Sequence, residues 1–168
     1  MRFRALEIED LSYLYQWEND AATWTDSDTH NPLSQHLLRE YIANSTGDIY
    51  KDGQLRLIVE DEGRTLGCVD LFDFDARSRK AAIGMYISPL VRGKGVGKQV
   101  LAMLEEYAFG FLGLHTLYAI IRETNAACRG LYESAGYRNA GVLQDWVRSD
   151  NEYVNAIIYQ KVYEKAAI

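Results

Sequence analysis

Arg92-Gly93-Lys94-Gly95-Val96-Gly97-Lys98 is the segment whose residue types and spacing point most directly to chemistry. It leaves a strand-like run and opens a helical one. At such a junction several backbone N–H groups lack helical acceptors, and the helix dipole favours an anion. Glycines let the backbone approach that anion closely and adopt positive φ. Arg92, Lys94 and Lys98 gather positive charge on a chain whose net charge is −6. The combination reads as a phosphate site. Two common phosphate loops do not fit it. A nucleotide P-loop ending at Gly97-Lys98 needs a glycine at Arg92 and a hydroxyl at Gln99, so an NTPase is disfavoured. A dinucleotide fingerprint would place its third glycine at Lys98 or Val100. The remaining alternative is a glycine-rich surface turn. The order of strand, Pro89, loop and amphipathic helix speaks against it.

Other residues invite chemistry more weakly. Asp70 and Glu60 are carboxylates on strand-like runs and candidate bases. Asp70 should face the same side as Cys68 and Phe72, where a structural, hydrogen-bonded role is equally open to it. Trp24 stands among Asp20, Asp26 and Asp28. A tryptophan with carboxylates suits a cationic amine, and a solvated acidic loop with one anchoring aromatic fits the same residues. Cys68 and Cys128 have no metal-ligand spacing and read as small buried hydrophobes, so no metal is expected.

The elements that must position these groups follow from periodicity. Met1 to Leu6 reads as a strand. Ile8, Leu11, Leu14 and Tyr15 share a helical face. Asp20 to Asn31 reads as a loop, and Asn31-Pro32 as the start of a second helix carrying Leu37, Leu38, Tyr41 and Ile42. Leu55 to Glu60 and Leu66 to Phe74 are strands joined by a Glu62-Gly63 turn. Ala81 to Ile87 is the strand before the glycine loop. Val96, Val100, Leu104, Tyr107 and Phe111 form the stripe of the next helix. Leu117 to Ile121 is a strand, and Asn125 to Ala135 a helix ended by Gly136. Tyr137 to Val147 and Tyr153 to Val162 are a closing strand pair. The order β-α-α-β-β-β-α-β-α-β-β describes one mixed α/β domain over residues 1–168.

Composition sets the outer limits. The chain has 168 residues, is 48% hydrophobic and 25% charged, and is acidic. A chain of this length can bury a core without disulfides or metals. Acidity argues against nucleic-acid binding. No apolar run reaches membrane-spanning length, and the charged N-terminus lacks a signal-peptide core. A cytoplasmic protein is the expectation.

Taken together, Arg92-x-x-Gly95-x-Gly97 and the downstream Asn125-Ala126-Ala127-Cys128-Arg129-Gly130-Leu131-Tyr132 with Gly136-Tyr137 resemble the two signatures of the GNAT superfamily of N-acetyltransferases. Within it, Phe3-Arg4-Ala5-Leu6-Glu7 and Trp24 look like the spermidine acetyltransferases and the ribosomal-protein N-terminal acetyltransferases. The resemblance implies a central, mostly antiparallel twisted sheet of six to seven strands with about four flanking helices. It implies acetyl-CoA as co-substrate. Its pyrophosphate would lie on the backbone of Arg92, Gly93, Lys94, Gly95, Val96, Gly97 and Lys98. Its pantetheine arm would add to Met85, Tyr86 and Ile87 as a strand adds to an edge, with Asn125 as cap and ligand. It implies Tyr132 as the general acid. Relatives often carry a glutamate at the position of Ala82, so the base must lie elsewhere, and Asp70 is the first candidate. Trp24, Asp26, Asp28 and Glu60 are the expected acceptor-binding residues.

The acceptor is expected to be a small cationic primary amine, polyamine-like, with a peptide α-amine as the second reading. A CoA-binding regulatory module without catalysis is the alternative of another class. A homodimer or larger homo-oligomer is also expected, with Trp146, Glu152 and Tyr153 either at its edge or closing the acceptor site.

Overall fold

Alternation along the central strands sorts their side chains onto two faces. Val69, Leu71, Ala81, Ile83, Leu117, Ala119, Ile121, Ile157 and Tyr159 bury together on one face, and Ile58 and Cys68 bury on the other. A sheet apolar on both sides needs a layer of helices on each. In this computed structural model, which describes residues 1–24, 31–149 and 151–164, both layers are present.

The described elements are β1 (Arg2–Ala5), α1 (Leu11–Glu18), α2 (Ala21–Trp24), α3 (Gln35–Asn44), α4 (Ile49–Asp52), β2 (Leu55–Asp61), β3 (Arg64–Asp75) and β4 (Lys80–Ile87). They continue with α5 (Val96–Glu105), β5 (Thr116–Arg122), α6 (Ala126–Ser134), β6 (Arg138–Ser149) and β7 (Glu152–Val162). The seven strands form one sheet in the order β1-β2-β3-β4-β5-β7-β6. All neighbours are antiparallel except β4 and β5. Among the described residues, four helices have eight residues or more, and α2 and α4 are single turns.

α5 and α6 cover the first face. Val100, Leu101, Leu104 and Ala108 are fully buried against the sheet. α1 and α3 cover the second face over β2 to β4, through Leu14, Trp17, Leu38 and Ile42. That cover stops short of β5: Phe72 and Ile120 remain 37% and 47% exposed. The second face is therefore open around the middle of the sheet. No helix of the described residues is long and apolar enough to cross a membrane.

Three boundaries differ from the expectation, each for a local reason. The Asp20–Asn31 segment begins with a helical turn, because the Asp20 carboxylate accepts from Ala22 N at 3.0 Å and Trp24 Nε1 donates to the Glu18 carbonyl at 2.8 Å. α3 starts at Gln35, where Ser34 Oγ accepts from Leu37 N as an N-cap. The apolar stripe that ends at Phe111 is not one α-helix; after Glu105 it widens into a π-helical stretch, Glu106–Phe111.

Candidate active site

The sheet opens where β4 and β5 stop pairing. They bond only through Lys80–Thr116, Ala81–Leu117 and Ala82–Tyr118. Beyond that point Ile83–Ile87 pairs with β3 alone, and 119–122 of β5 with β7 alone. Each strand turns an unpaired edge toward a wedge-shaped gap. Main-chain N–H and C=O groups on such edges demand partners. An amide-bearing chain laid in the wedge would meet them as an added strand does. Met85, Tyr86 and Ile87 lie on this edge.

The chain leaves β4 through a 3₁₀ turn at Pro89–Val91 and reaches the N-cap of α5 at Gly95. Gly95 has φ 79°, and a Cβ there would meet no atom within 4 Å. The glycine thus supplies a left-handed turn beside open space. No side chain caps α5, so its first N–H groups point outward unpaired, as an anion requires. A pyrophosphate fits this cradle. Gly97 has another role: its Cβ would lie 3.3 Å from Leu131 Cδ2, so it lets α5 pack closely on α6. Arg92 Nε donates to the Ile87 carbonyl at 2.8 Å, and its guanidinium lies 5.6 Å from the Tyr86 ring centre. Lys94 Nζ donates to the Leu90 carbonyl at 3.1 Å. Both side chains therefore shape the loop first. Lys98 is exposed on the first turn of α5.

Asn125 is the N-cap of α6; its Oδ1 accepts from Cys128 N at 3.0 Å. That cap fixes where α6 begins, and Tyr132 follows two turns later. Tyr132 is 3% exposed and meets the Tyr137 ring edge-on at 4.9 Å. Burial, reinforced by the nearby Cys128 and Glu105, holds this phenol far above its ordinary range. It is a proton donor at neutral pH.

On the open face, Asp70 shares its side with Cys68 and Phe72, as alternation predicts. Arg56 binds both of its oxygens, Nε to Oδ1 at 2.6 Å and one terminal nitrogen to Oδ2 at 2.9 Å. The other terminal nitrogen reaches Glu18 Oε1 at 2.7 Å. Two carboxylates thus share one guanidinium, in a setting only 17–22% exposed. Taking a proton on Asp70 would break its half of this pair. Gly84 lies opposite Asp70, and a Cβ on Gly84 would meet Asp70 Oδ2 at 3.4 Å and Phe72 Cε1 at 3.5 Å. Burial pushes the Cys68 thiol beneath up to about 12, so it stays protonated and apolar in behaviour.

Two expected acceptor residues are engaged elsewhere. Glu60 is bound by Arg2 at 2.7 Å and Arg4 at 2.9 Å on the β1 side of the sheet. It is thereby tied to the β1 edge of the sheet. Trp24 spends its N–H on Glu18 and is partly buried. Asp26 and Asp28 lie outside the described residues. Trp146 and Tyr153 are 57% and 62% exposed on the β6–β7 pair. Sequence reading missed Arg56, Glu18, Asp73 and Tyr118. The Tyr118 hydroxyl donates to Asp73 Oδ2, and no local pattern in the sequence marks that pair. Among the described residues no group of three or more His, Cys, Asp or Glu is disposed to hold a metal ion.

Residues 1–138 match the acetyltransferase (GNAT) domain. The spermidine N(1)-acetyltransferase of Escherichia coli is 28% identical over 169 residues, covering 97% of this chain and 88% of that protein. The Vibrio cholerae spermidine N-acetyltransferase solved with CoA and spermine superposes with a TM-score of 0.86 at 24% identity, over 96% of this chain and 94% of that one. A dodecameric structure of the Vibrio cholerae enzyme gives 0.81 at 25% identity, over 96% and 92%. A wedge between parallel strands, an uncapped helix N-terminus at its mouth and a match over residues 1–138 lead to one conclusion: the chain belongs to the GNAT family and is an acetyl-CoA-dependent N-acetyltransferase.

Proposed function

We propose that this enzyme acetylates a small cationic primary amine of the polyamine class, by direct transfer within a ternary complex. The observation that carries this reading is the Glu18–Arg56–Asp70 cluster beside Gly84. Taken by itself, this cluster of two carboxylates and one guanidinium carries one net negative charge. Asp70 Oδ2 and the Phe72 ring both approach the hollow that Gly84 leaves. An ammonium seated there meets a carboxylate and an aromatic ring together. The overall charge of −6 favours the same class of ligand. Asp70 in this role attracts and orients the cation while Arg56 holds the carboxylate in place. The likeness to spermidine acetyltransferases supports the choice.

Acetyl-CoA supplies the acetyl thioester when bound. The backbone of Met85–Ile87 holds its amide arm, the N–H groups from Gly93 to Lys98 hold its pyrophosphate, and Asn125 stands beside the arm. Tyr132 gives its phenolic proton to the departing sulfur. Cys68 and Cys128 form no disulfide, in accord with a cytoplasmic setting, and the dodecameric relative makes self-association part of the reading. The test is thiol release from acetyl-CoA with spermidine, spermine, a diamine and a short peptide with a free α-amine, alongside sedimentation velocity. The highest kcat/KM is expected on a polyamine. Turnover of the peptide alone would replace this reading with the protein N-terminal one.

A further inference from the structure

An ammonium must lose a proton before its nitrogen can attack, and the open face holds a group placed to take it. Phe72, Ala82 and Tyr118 lie in register across β3, β4 and β5. Just past Phe72 the β3–β4 register slips, with Asp73 and Phe74 set against Ala81 alone, and Asp73 takes φ 50°. A bulge of this kind re-aims side chains. Here it lets Phe72 and Asp73 both turn to the open face while Phe74 returns to the core. The Asp73 carboxylate then accepts the Tyr118 hydroxyl proton in a hydrogen bond that crosses β4. It crosses at Ala82, where only a methyl group stands in the way. Ala82–Tyr118 is also the last pair before β4 and β5 part, so the Tyr118–Asp73 pair marks the closed end of the wedge.

We propose that Tyr118 and Asp73 together are the proton acceptor for the amine. Tyr118 Oη takes a proton from the nitrogen and passes its own hydroxyl proton to Asp73. Asp73 is exposed and releases it to water. The C–N bond forms and the C–S bond breaks. The nitrogen sheds two protons by this route, the sulfur takes one from Tyr132, and Tyr132 is refilled from solvent, so one proton is released overall. The base lies on the α1/α3 face of the opening and Tyr132 on the α5/α6 face, which separates proton removal from proton donation. The inference rests on the amine-acetylation reading above.

The other charged or polar groups on this face include Glu18 and Asp70, each bound to Arg56, with Tyr41 on α3, Lys80 and Tyr86 on β4, Thr116 and Arg122 on β5, Gln160 opposite Tyr118 on β7 and Arg138 beside it on β6. Asp73 is the one whose charge acts on the Tyr118 hydroxyl. Burial first, and Asp73 second, raise that phenol to about 12. The phenol therefore stays protonated and relays, rather than ionising by itself.

The experiment compares wild type, Asp73→Asn, Tyr118→Phe, the double variant Asp73→Asn/Tyr118→Phe, Asp73→Glu and Asp70→Asn with acetyl-CoA and spermidine from pH 6 to 10, with thermal melts as the folding control. Asp73→Asn and Tyr118→Phe should each lower kcat/KM at pH 7 by about 100-fold. The double variant should lose no more than either single one. The deficit should shrink as pH rises and be smaller for an acceptor amine already neutral at pH 7, which sheds one proton by this route rather than two. Asp73→Glu should recover part of the rate. Separately from turnover, ¹³C-tyrosine titration should show the Tyr118 phenol ionising lower in Asp73→Asn than in wild type. If wild type turns over and Asp73→Asn keeps its pH profile, or if Asp70→Asn alone shifts the profile, the proposal is wrong. If wild type acetylates no amine, the broader reading falls and takes this one with it.

Discussion

Gly67 offers a direct test of whether the β4 edge builds the cofactor site. It pairs with Ile87, and a Cβ added to it would lie 2.0 Å from the Tyr86 carbonyl oxygen and 3.1 Å from Ile87 Cα. An ordinary carbon–oxygen contact is about 3.3 Å, so in Gly67→Ala one strand must move by roughly 1 Å. The obstacle is backbone, which cannot rotate aside. The displaced atoms belong to the Tyr86–Ile87 stretch of β4, whose other side faces the wedge. Overpacking of this kind costs about 1–3 kcal/mol. Gly67 also has φ 156°, which an alanine adopts at a further cost of about 1–3 kcal/mol.

Together these give a loss of about 4 kcal/mol. For a chain of 168 residues that lowers the melting temperature by about 8–16 °C. The wedge narrows as β4 is pushed toward it, so the Kd for CoA should rise at least tenfold, about 1.4 kcal/mol. Differential scanning calorimetry and titration calorimetry with CoA read the two effects. Gly141→Ala is the control. Its Cβ would meet nothing within 4 Å and its φ is ordinary, so a change within about 0.5 kcal/mol is expected. A Gly67→Ala protein that melts with wild type and binds CoA equally well would refute the claim that the β4 edge sets the gap.

Tyr132→Phe should lower kcat by about 100-fold while leaving melting temperature and CoA affinity nearly unchanged, because the buried ring and its edge-on contact with Tyr137 are kept; an unaltered kcat would exclude it as the acid. Arg56→Met should destabilise by about 3 kcal/mol, since it removes the cation that Asp70 and Glu18 both bind in a largely buried setting, whereas Asp70→Asn should raise KM for a polyamine more than it lowers kcat. Asp10 is 2% exposed, and burial raises its carboxyl, but the Arg4 hydrogen bonds, the Glu7 N–H and the Arg4 charge outweigh that and hold it below its ordinary value. The stability it contributes is thus complete above the unfolded value, about pH 4, and is lost as pH falls through the lower folded value. Asp10→Asn should melt lower than wild type at pH 7, and the two curves should converge in melts taken down to pH 3.

The parts of the site read from sequence are those built by consecutive residues. The glycine loop is legible because strand, turn and helix start within ten residues, so its free N–H groups follow from chain order alone. Asn125 and Tyr132 sit on one short helix, and the cap fixes their separation. α4 escaped notice because a single turn has no periodicity to display; Asp48 and Gly53 cap it, and Ile49 alone buries.

The open face is different, because strand register decides it and register slips twice. Glu62 and Gly63, both at positive φ, form a tight hairpin turn that pairs Asp61 with Arg64 and Glu60 with Thr65. An unbroken ladder from that turn would set Arg56 opposite Val69, a core residue. The bulge between Val59 and Glu60 moves the register by one and sets Arg56 opposite Asp70. The slip between Phe72 and Asp75 does the same on the other side of β3, and brings Asp73 to Tyr118 across a strand that separates them. A shift of one residue moves a side chain to the opposite face. Alternation therefore predicts neighbours only within an unbroken ladder. The two side-chain pairs nearest the wedge, Arg56–Asp70 and Tyr118–Asp73, both depend on breaks in it, which is why they were invisible in a sequence that otherwise announced its fold.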